Sequence, residues 1–191
     1  MRTALAGRSV DLKLQKGSYI YMKNTSEARD FKIGDTVVYP SHGVGEITAE
    51  ERQVIAGTEM RLYVISFAKE KMILRVPKSR AVKTGLRHLT SATDFEDVIK
   101  VLKQKARNGK GMWSKRAQEY EQKINSGEII KIAEVLRDLH KNVGDNDRSY
   151  SERVIYEAAL ERLSTEYAAS AKLDKPEACA RLVELLDCYR T

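Results

Sequence analysis

The segment between Val101 and Gln118 combines the side chains best suited to non-covalent contact with a polyanion. The chain's only tryptophan, Trp113, lies within it, and the segment contains no aspartate or glutamate. Long cationic side chains hold phosphates, whereas a large flat ring stacks on bases or wedges between them. The segment therefore predicts contact with a nucleic acid. Its basic residues are Lys103, Lys105, Arg107, Lys110, Lys115 and Arg116.

Trp113 also has a purely structural interpretation, because a single tryptophan in a small protein is more often a core anchor. Two features favour its presentation at the surface. Gly109 and Gly111 predict a flexible connection between two helices, and Met112 with Trp113 then opens the second helix. The general tendency of tryptophan favours burial of the ring, whereas the two glycines favour its exposure. The residues themselves therefore leave both alternatives open.

A second acid-free segment runs from Lys71 to Thr93. Surface strands and connections often carry Lys and Arg, which discourage edge-to-edge pairing of sheets. We therefore interpret most of its basic side chains as a solvated face. They are Arg75, Lys78, Arg80, Lys83 and Arg87.

The histidines and cysteines do not predict a metal site. His42, His88 and His140 are scattered along the chain. Cys179 and Cys188 are nine residues apart in a helical pattern, and about 100° per residue places them on opposite helix faces. We expect both cysteines to be small buried side chains in a reducing compartment.

Motifs of common enzyme classes are absent from the sequence, which has no G-x-S-x-G elbow, no G-x-x-x-x-G-K-[ST] loop and no Rossmann G-x-G-x-x-G. Gly43-Val44-Gly45 lies between two predicted strands, so a tight turn explains it better than a phosphate loop. We expect a binding protein rather than an enzyme, with no catalytic residue, metal or cofactor. An unrecognised nuclease is the enzymatic alternative.

Charge and hydropathy narrow the class of protein further. The 191-residue chain has a formal net charge of +7, which favours a polyanionic partner. No apolar run approaches the ~20 residues of a membrane helix, and the first residues lack the apolar core of a signal peptide. We expect a cytoplasmic protein without a membrane partner. Asp11 argues against a mitochondrial transit peptide.

Short β-rich runs separated by turn residues begin after Phe31. They predict a strongly bent sheet or a small barrel over residues 31–90. Residues 1–30 show no sustained period and are predicted to be a tail, with Met22 as an alternative start. The β-rich runs are TVVYP at 36–40, GVGEIT at 43–48, RLYVISFA at 61–68 and MILRVP at 72–77.

The apolar period over residues 91–191 is helical and predicts an all-α bundle of about five helices, so the chain is expected to be α+β. Capping boxes predict two helix starts, at Thr93-Asp94-Phe95-Glu96 and at Ser149-Tyr150-Ser151-Glu152. The helix that follows Ser149 is predicted to carry Val154, Ile155, Ala158 and Leu163 on its apolar face. The other helices are predicted from Ser114 to Asn125, from Ile129 to Leu139 and after Asp174-Lys175-Pro176-Glu177.

Several long segments, in this order, resemble the CarD/CdnL-type bacterial transcription regulators, whose first domain is shared with transcription-repair coupling factor. The segments are FKIGDTVVYPSHGVGEI at 31–47, MILRVP at 72–77, GLRHL at 85–89, WSKR at 113–116 and INSGEIIKIAEVLRDL at 124–139. The resemblance covers roughly residues 31–188. It implies a small Tudor-like β-barrel domain followed by a helical bundle.

The resemblance also implies a function without catalysis. The β domain would dock on the β subunit of RNA polymerase. Independently of the resemblance, we expect a monomer in the cytoplasm, at the nucleoid. The helical domain would place Trp113 in the DNA minor groove at the upstream edge of the promoter bubble and stabilise the open complex, especially at ribosomal RNA promoters. The implied DNA-binding residues are Trp113, Lys110, Lys115, Arg116 and Arg153, and the implied polymerase-binding residues are Arg75, Pro77 and Arg52.

Two positions depart from the family pattern. A second polymerase-contacting arginine of the relatives falls at Gln53, with Arg52 adjacent, and a basic residue expected near position 118 is Gln118. The alternative from another class is an RNA-binding or ribosome-associated protein in which Trp113 stacks on an unpaired base.

Overall fold

The computed structural model describes residues 31–107, 111–140 and 149–189. Within these ranges an antiparallel sheet is followed by α-helices, which confirms the α+β class. The tail predicted at residues 1–30 lies outside the described residues. The strands are β1 (Thr36–Tyr39), β2 (Gly43–Ile55), β3 (Thr58–Phe67), β4 (Met72–Pro77) and β5 (Arg87–His88). The helices are α1 (Ala92–Leu102), α2 (Trp113–Asn125), α3 (Ile129–His140), α4 (Tyr150–Ala171) and α5 (Lys175–Cys188), and a 3-10 turn spans Lys78–Arg80.

The strands pair in the order β4-β3-β2-β1-β5, so β4 and β5 are the two edges of an open sheet. Of the two forms expected from the sequence, the bent sheet is therefore the one found. The register of the β2–β3 pair shifts between Ile47 and Ala49, and such a bulge bends the strand and increases its twist. β2 runs on to Ile55, past its predicted end at Thr48, because Ala56 and Gly57 both have positive φ and form the tight turn into β3.

One face of the sheet carries the core of the β domain. Phe31 packs edge-on against Tyr63, with ring centroids 5.7 Å apart, and His88 lies against Phe31 at 4.6 Å. Alternation of side chains along each strand brings these apolar residues to the same face. The buried residues of this core are Phe31, Val37, Ile47, Tyr63, Ile65, Phe67, Val76, Ala81 and Leu86.

Two helix starts were predicted from capping boxes, with different outcomes. Ser149 is the N-cap of α4, and its hydroxyl accepts a hydrogen bond from the Glu152 amide at 3.2 Å, which confirms the predicted helix start there. The predicted box at Thr93 is wrong. Ser91, whose backbone is extended, accepts from the Asp94 amide at 3.1 Å and caps α1, so Thr93 already lies within the helix.

The core of the helical domain lies among all five helices and is formed mainly by leucine, isoleucine and valine. Some residues of α4 and α5 that were predicted to face the core do not. Val154 and Ala158 are exposed, because α4 faces the core through the neighbouring positions Ile155 and Ala159. Cys188 is exposed and Cys179 is only half-buried, since α5 packs through Ala178, Leu182 and Leu186.

The two domains are joined by polar contacts through α4. Arg87 forms an ion pair with the buried carboxylate of Glu166 at 2.6 Å, so this arginine does not belong to the solvated face predicted for it. Arg162 donates to the carbonyl oxygens of Pro40, at 2.6 Å, and of Ser41. α4 is therefore both a member of the helical core and the element that holds the β domain.

None of the helices that the structure describes is both long and apolar enough to cross a membrane.

Candidate nucleic-acid interface

Trp113 is the first residue of α2, and Met112 is its N-cap. The indole ring is half-buried and packs against the helical core, with its centroid 6.4 Å from that of Tyr120. The indole Nε1 donates a hydrogen bond to the Ser151 hydroxyl in the first turn of α4, at 2.7 Å. The ring is thus neither a fully buried core anchor nor fully presented at the surface. It is anchored on one side and accessible on the other.

The Trp113 ring has a fixed orientation because two elements hold it. Its apolar edge is packed and its one polar group is hydrogen-bonded, so few rotamers remain available to it. The guanidinium of Arg116, one turn along α2, lies 5.2 Å from the ring centroid, within the range of a cation–π interaction. A ring held in this way can enter a groove with little further loss of conformational entropy.

The charge around Trp113 is positive. The first turn of α2 contains no acidic residue, and Lys115 in that turn is exposed. Arg153, in the first turn of α4, is also exposed, whereas its neighbour Glu152 is buried. The guanidinium of Arg116 therefore lies at the indole, whereas Lys115 and Arg153 are exposed cations two positions after Trp113 and after Ser151. Lys110 lies outside the described residues.

The rest of the basic segment is more dispersed. The ammonium group of Lys103 lies 5.4 Å from the centre of the Tyr189 ring, at the end of α5. The backbone N–H of Arg107 donates to the Asp138 carboxylate on α3 at 2.9 Å, which ties the chain down before residue 108. Gln118 is exposed on α2. Among the described basic residues of the segment, Arg116 is the one that contacts the Trp113 ring.

Arg75, expected to face the polymerase, is on β4 and binds Glu51 on β2 across the intervening strand. Its Nε donates to Glu51 Oε2 at 2.9 Å and its Nη2 to Oε1 at 3.4 Å. The hydrogen bonds from Arg75 lower the pKa of the Glu51 carboxyl, and those to Glu51 raise the pKa of Arg75. Since both side chains are largely solvated, this pair contributes little to stability. Its main effect is to fix the direction of the guanidinium.

The strand register shows which residues share a face with Arg75. Arg75 pairs with Val64, and Pro77 pairs with Leu62, so these four residues lie on the face opposite the β-domain core. Leu62 and Val64 are nonetheless buried. The face is thus an apolar strip bordered by a bidentate ion pair.

Arg52 is not brought together with Arg75. Arg52 pairs with Arg61 on β3 and directly follows Glu51 on β2. Because successive side chains of a strand point to opposite faces, Arg52 lies on the face of the β2–β3 hairpin opposite Glu51. Its guanidinium is 3.8 Å from the Glu59 carboxylate there. Gln53 has the correct phase and donates to Glu51 Oε2 at 3.0 Å. The residue that adjoins Arg75 through Glu51 is therefore Gln53.

Two residues of these sites were not identified from the sequence. In the sequence, Glu51 has no feature that distinguishes it from other acidic residues of a strand. Its role is visible only in the sheet, where the strand register places it across β3 from Arg75. Ser151 was visible only as part of a helix cap, and the cap itself is made by Ser149. The Ser151 hydroxyl instead binds the indole, a contact between residues 38 positions apart that no local pattern signals.

The histidines have structural partners. His42 Nδ1 lies 2.8 Å from the Glu70 carboxylate, and the buried His140 is hydrogen-bonded to Tyr156 and Asp187, each at 2.9 Å. Across the described ranges, no three His, Cys, Asp or Glu side chains are grouped as metal ligands would be.

Comparisons with known proteins agree with the division into a β part and a helical part. The CarD-like/TRCF RID domain matches residues 31–90, and the CarD C-terminal domain matches residues 97–183. A protein of Bacillus subtilis (strain 168), named "Putative transcription factor YdeB", is 29% identical over 136 residues, which are 71% of this chain and 89% of that protein.

Proposed function

The chain belongs to the CarD-like family of transcription regulators, and we propose that it binds the β subunit of RNA polymerase and stabilises the promoter open complex. The β domain docks on the polymerase through the outer face that carries Arg75 and Pro77. The helical domain contacts the DNA minor groove with Trp113 at the upstream edge of the bubble. The protein acts by binding, as a monomer at the nucleoid, and catalyses no reaction.

The observation that carries this proposal is the hydrogen bond from the Trp113 indole to Ser151. This bond fixes the direction of a ring that is only half-buried, and a ring that must enter a groove gains from such preorganisation. Arg116 lies against the ring, and the exposed Lys115 and Arg153 add positive charge that suits phosphates in the first turns of α2 and α4.

The opening of the DNA explains why the wedge would prefer melting promoters to ordinary duplex DNA. A wedge between base steps costs a few kcal/mol of unstacking in ordinary duplex, and less where the steps are already separating. Unstable promoters, those for ribosomal RNA among them, close most readily. A wedge that hinders closure therefore has its largest effect on their open complexes.

The docking face supports the first half of the proposal. Arg75 is held by Glu51 beside the apolar strip of Leu62 and Val64, and Pro77 ends the edge strand β4. A partner strand or loop laid on this face meets the exposed side chain of Ile73, which is in phase with Arg75 on β4, together with an oriented guanidinium. Docking then raises the effective concentration of Trp113 at the promoter, so neither contact has to be strong alone.

The Trp113→Ala variant tests the proposal. We expect it to retain RNA polymerase in a pull-down but to shorten the lifetime of open complexes on a ribosomal RNA promoter by about ten-fold, as for loss of one stacked aromatic contact. Val82→Ala, which truncates an exposed side chain of the β domain, is the matched control. An unchanged lifetime with Trp113→Ala contradicts the wedge.

The same pull-down addresses the RNA-binding alternative. If the wild-type protein retains ribosomal RNA and no polymerase subunit, the basic face serves RNA through Trp113, and the transcriptional proposal fails.

A further inference from the structure

Two large side chains next to the Trp113–Ser151 hydrogen bond are strongly exposed. Met112, which precedes Trp113, is 76% exposed, and Tyr150, which precedes Ser151, is 78% exposed. Val154 lies one turn after Tyr150 on the same face of α4 and is 44% exposed. The half-buried indole is therefore the most sheltered member of an apolar surface that extends over both helix starts.

Among the residues that the structure describes, the Tyr150 ring makes no hydrogen bond, ring contact or cation–π contact. Single exposed apolar side chains are common on protein surfaces. Here, however, Tyr150 adjoins a clamped tryptophan, and Arg153 follows it at i+3 on the same side of α4. This grouping of an aromatic ring, a thioether and cations is the composition of a nucleic-acid contact.

We infer that Tyr150 is a second aromatic contact to promoter DNA, which stacks on an unpaired base or sugar at the upstream bubble edge beside the Trp113 wedge. Met112 extends the apolar contact on the α2 side. The inference rests on the proposed function, since it places Tyr150 on the same DNA. Charge selects DNA over a protein partner, because Lys115 and Arg153, both exposed, border the surface and none of the described residues pairs with either as an ion pair.

The roles of the two rings differ. Trp113 is anchored by packing and by Ser151, so it can act as a rigid wedge. Tyr150 is free to adjust, which suits stacking on a base whose position varies with promoter sequence. The phenolic hydroxyl is not needed for stacking, so phenylalanine should replace tyrosine at this position.

Open-complex lifetimes after challenge with heparin test the inference in full-length protein with RNA polymerase. We expect Tyr150→Ala to shorten the lifetime about five-fold or more, the effect of losing one base–aromatic stack. Tyr150→Phe should retain the wild-type lifetime, and Val82→Ala is again the exposed control. Retention of polymerase and the far-ultraviolet circular dichroism should be unchanged in every variant.

The outcomes separate this inference from the proposed function. If Trp113→Ala shortens the lifetime and Tyr150→Ala does not, the second contact is refuted while the wedge stands. If Trp113→Ala has no effect, the proposed function fails. A photoreactive phenylalanine at position 150 provides an independent measurement: crosslinks to promoter DNA support the contact, and crosslinks to polymerase subunits alone overturn it.

Discussion

Arg87 and Glu166 are 79 positions apart, yet their side chains form a bidentate ion pair, Nη1 to Oε1 at 2.6 Å and Nη2 to Oε2 at 2.8 Å. The carboxylate also accepts from the amide and hydroxyl of Thr90, at 3.2 and 2.7 Å. The guanidinium donates in addition to the Gly127 carbonyl. This cluster joins the last strand of the sheet to α4 and to the α2–α3 connection.

The cluster has a consequence for the proposed function. Glu166 lies fifteen residues after Ser151 on α4, which corresponds to about 22 Å along the helix axis. One rigid helix thus holds the β domain at one point and clamps Trp113 at another. The distance between docking face and wedge is set by α4.

Glu166→Gln should destabilise the protein by about 2–4 kcal/mol, because Glu166 is only 3% exposed and its loss of charge leaves the Arg87 guanidinium partly buried without a counter-ion. Urea denaturation followed by circular dichroism measures the loss. Glu157→Gln, which changes an exposed acid on the same helix, is the control and should change stability by less than about 0.5 kcal/mol. Equal effects of the two substitutions would contradict the role of the cluster.

Gly127→Ala should separate the domains. Gly127 has a φ of 70°, and an added Cβ would lie 2.6 Å from Pro40 Cα in the β domain, where backbone cannot yield. Gly57→Ala is a matched control, with a φ of 77° but no atom within 4 Å of the added Cβ. Both variants bear the left-handed strain of about 1 kcal/mol, so the extra loss of stability in Gly127→Ala on urea denaturation reports the domain contact. Equal losses would show that Pro40 moves freely.

The elements of this fold could largely be predicted because their signals are local. Alternation and turn residues indicate the strands before Pro77, and the helical period with the Ser149 cap indicates α4. β5 was missed because two residues, Arg87 and His88, carry no period, and the strand exists only through its pairing with β1.

The site could be predicted in part. Trp113 and its neighbours were identified from composition, but its half-buried state depends on Ser151, and the solvated interpretation of Arg87 failed because Glu166 is remote in sequence. Arg52 and Gln53 could be told apart only once the register placed Gln53 in phase with Glu51. Each of these features depends on pairing between distant segments, which a single sequence does not show.

Ser151→Ala should release the indole. Loss of the 2.7 Å hydrogen bond leaves Trp113 Nε1 to solvent and gives the ring more rotamers, so acrylamide should quench its fluorescence more strongly than in the wild type. Because Trp113 is the chain's only tryptophan, the signal is unambiguous. Ser114→Ala, beside the ring but exposed, is the control and should leave quenching unchanged. No change with Ser151→Ala would mean that packing alone orients the ring.

Arg75→Glu should weaken polymerase binding at least ten-fold, since it removes the oriented guanidinium and sets a second carboxylate beside Glu51. Arg52→Glu introduces the same charge change on the opposite face and should have a much smaller effect. Titration of each variant against polymerase, with Trp113 fluorescence or a pull-down as readout, compares them. A larger loss with Arg52→Glu would place the docking surface on the other face.

Acid should weaken the contact that Glu161 makes with the β domain. Burial alone raises the pKa of Glu161, but hydrogen bonds from Lys175 and from Lys69 of the β domain outweigh it and lower the pKa below its ordinary value. The unfolded chain therefore takes up a proton first as pH falls. The stabilisation is present above the ordinary carboxyl pKa of about 4.3 and is lost as pH falls through the folded value.

Glu161→Gln removes this contribution at every pH. The stability difference between wild type and variant should be greatest near neutrality, about 1 kcal/mol or less because the carboxylate is partly solvated. It should shrink as pH falls below the ordinary carboxyl pKa of about 4.3 and vanish below the lowered pKa of the folded protein. Urea denaturation at a series of pH values measures it, with Glu157→Gln as the exposed control on the same helix. A difference that stays constant from pH 7 to 3 would show that the Glu161 side chain acts through packing, because packing alone has no proton linkage.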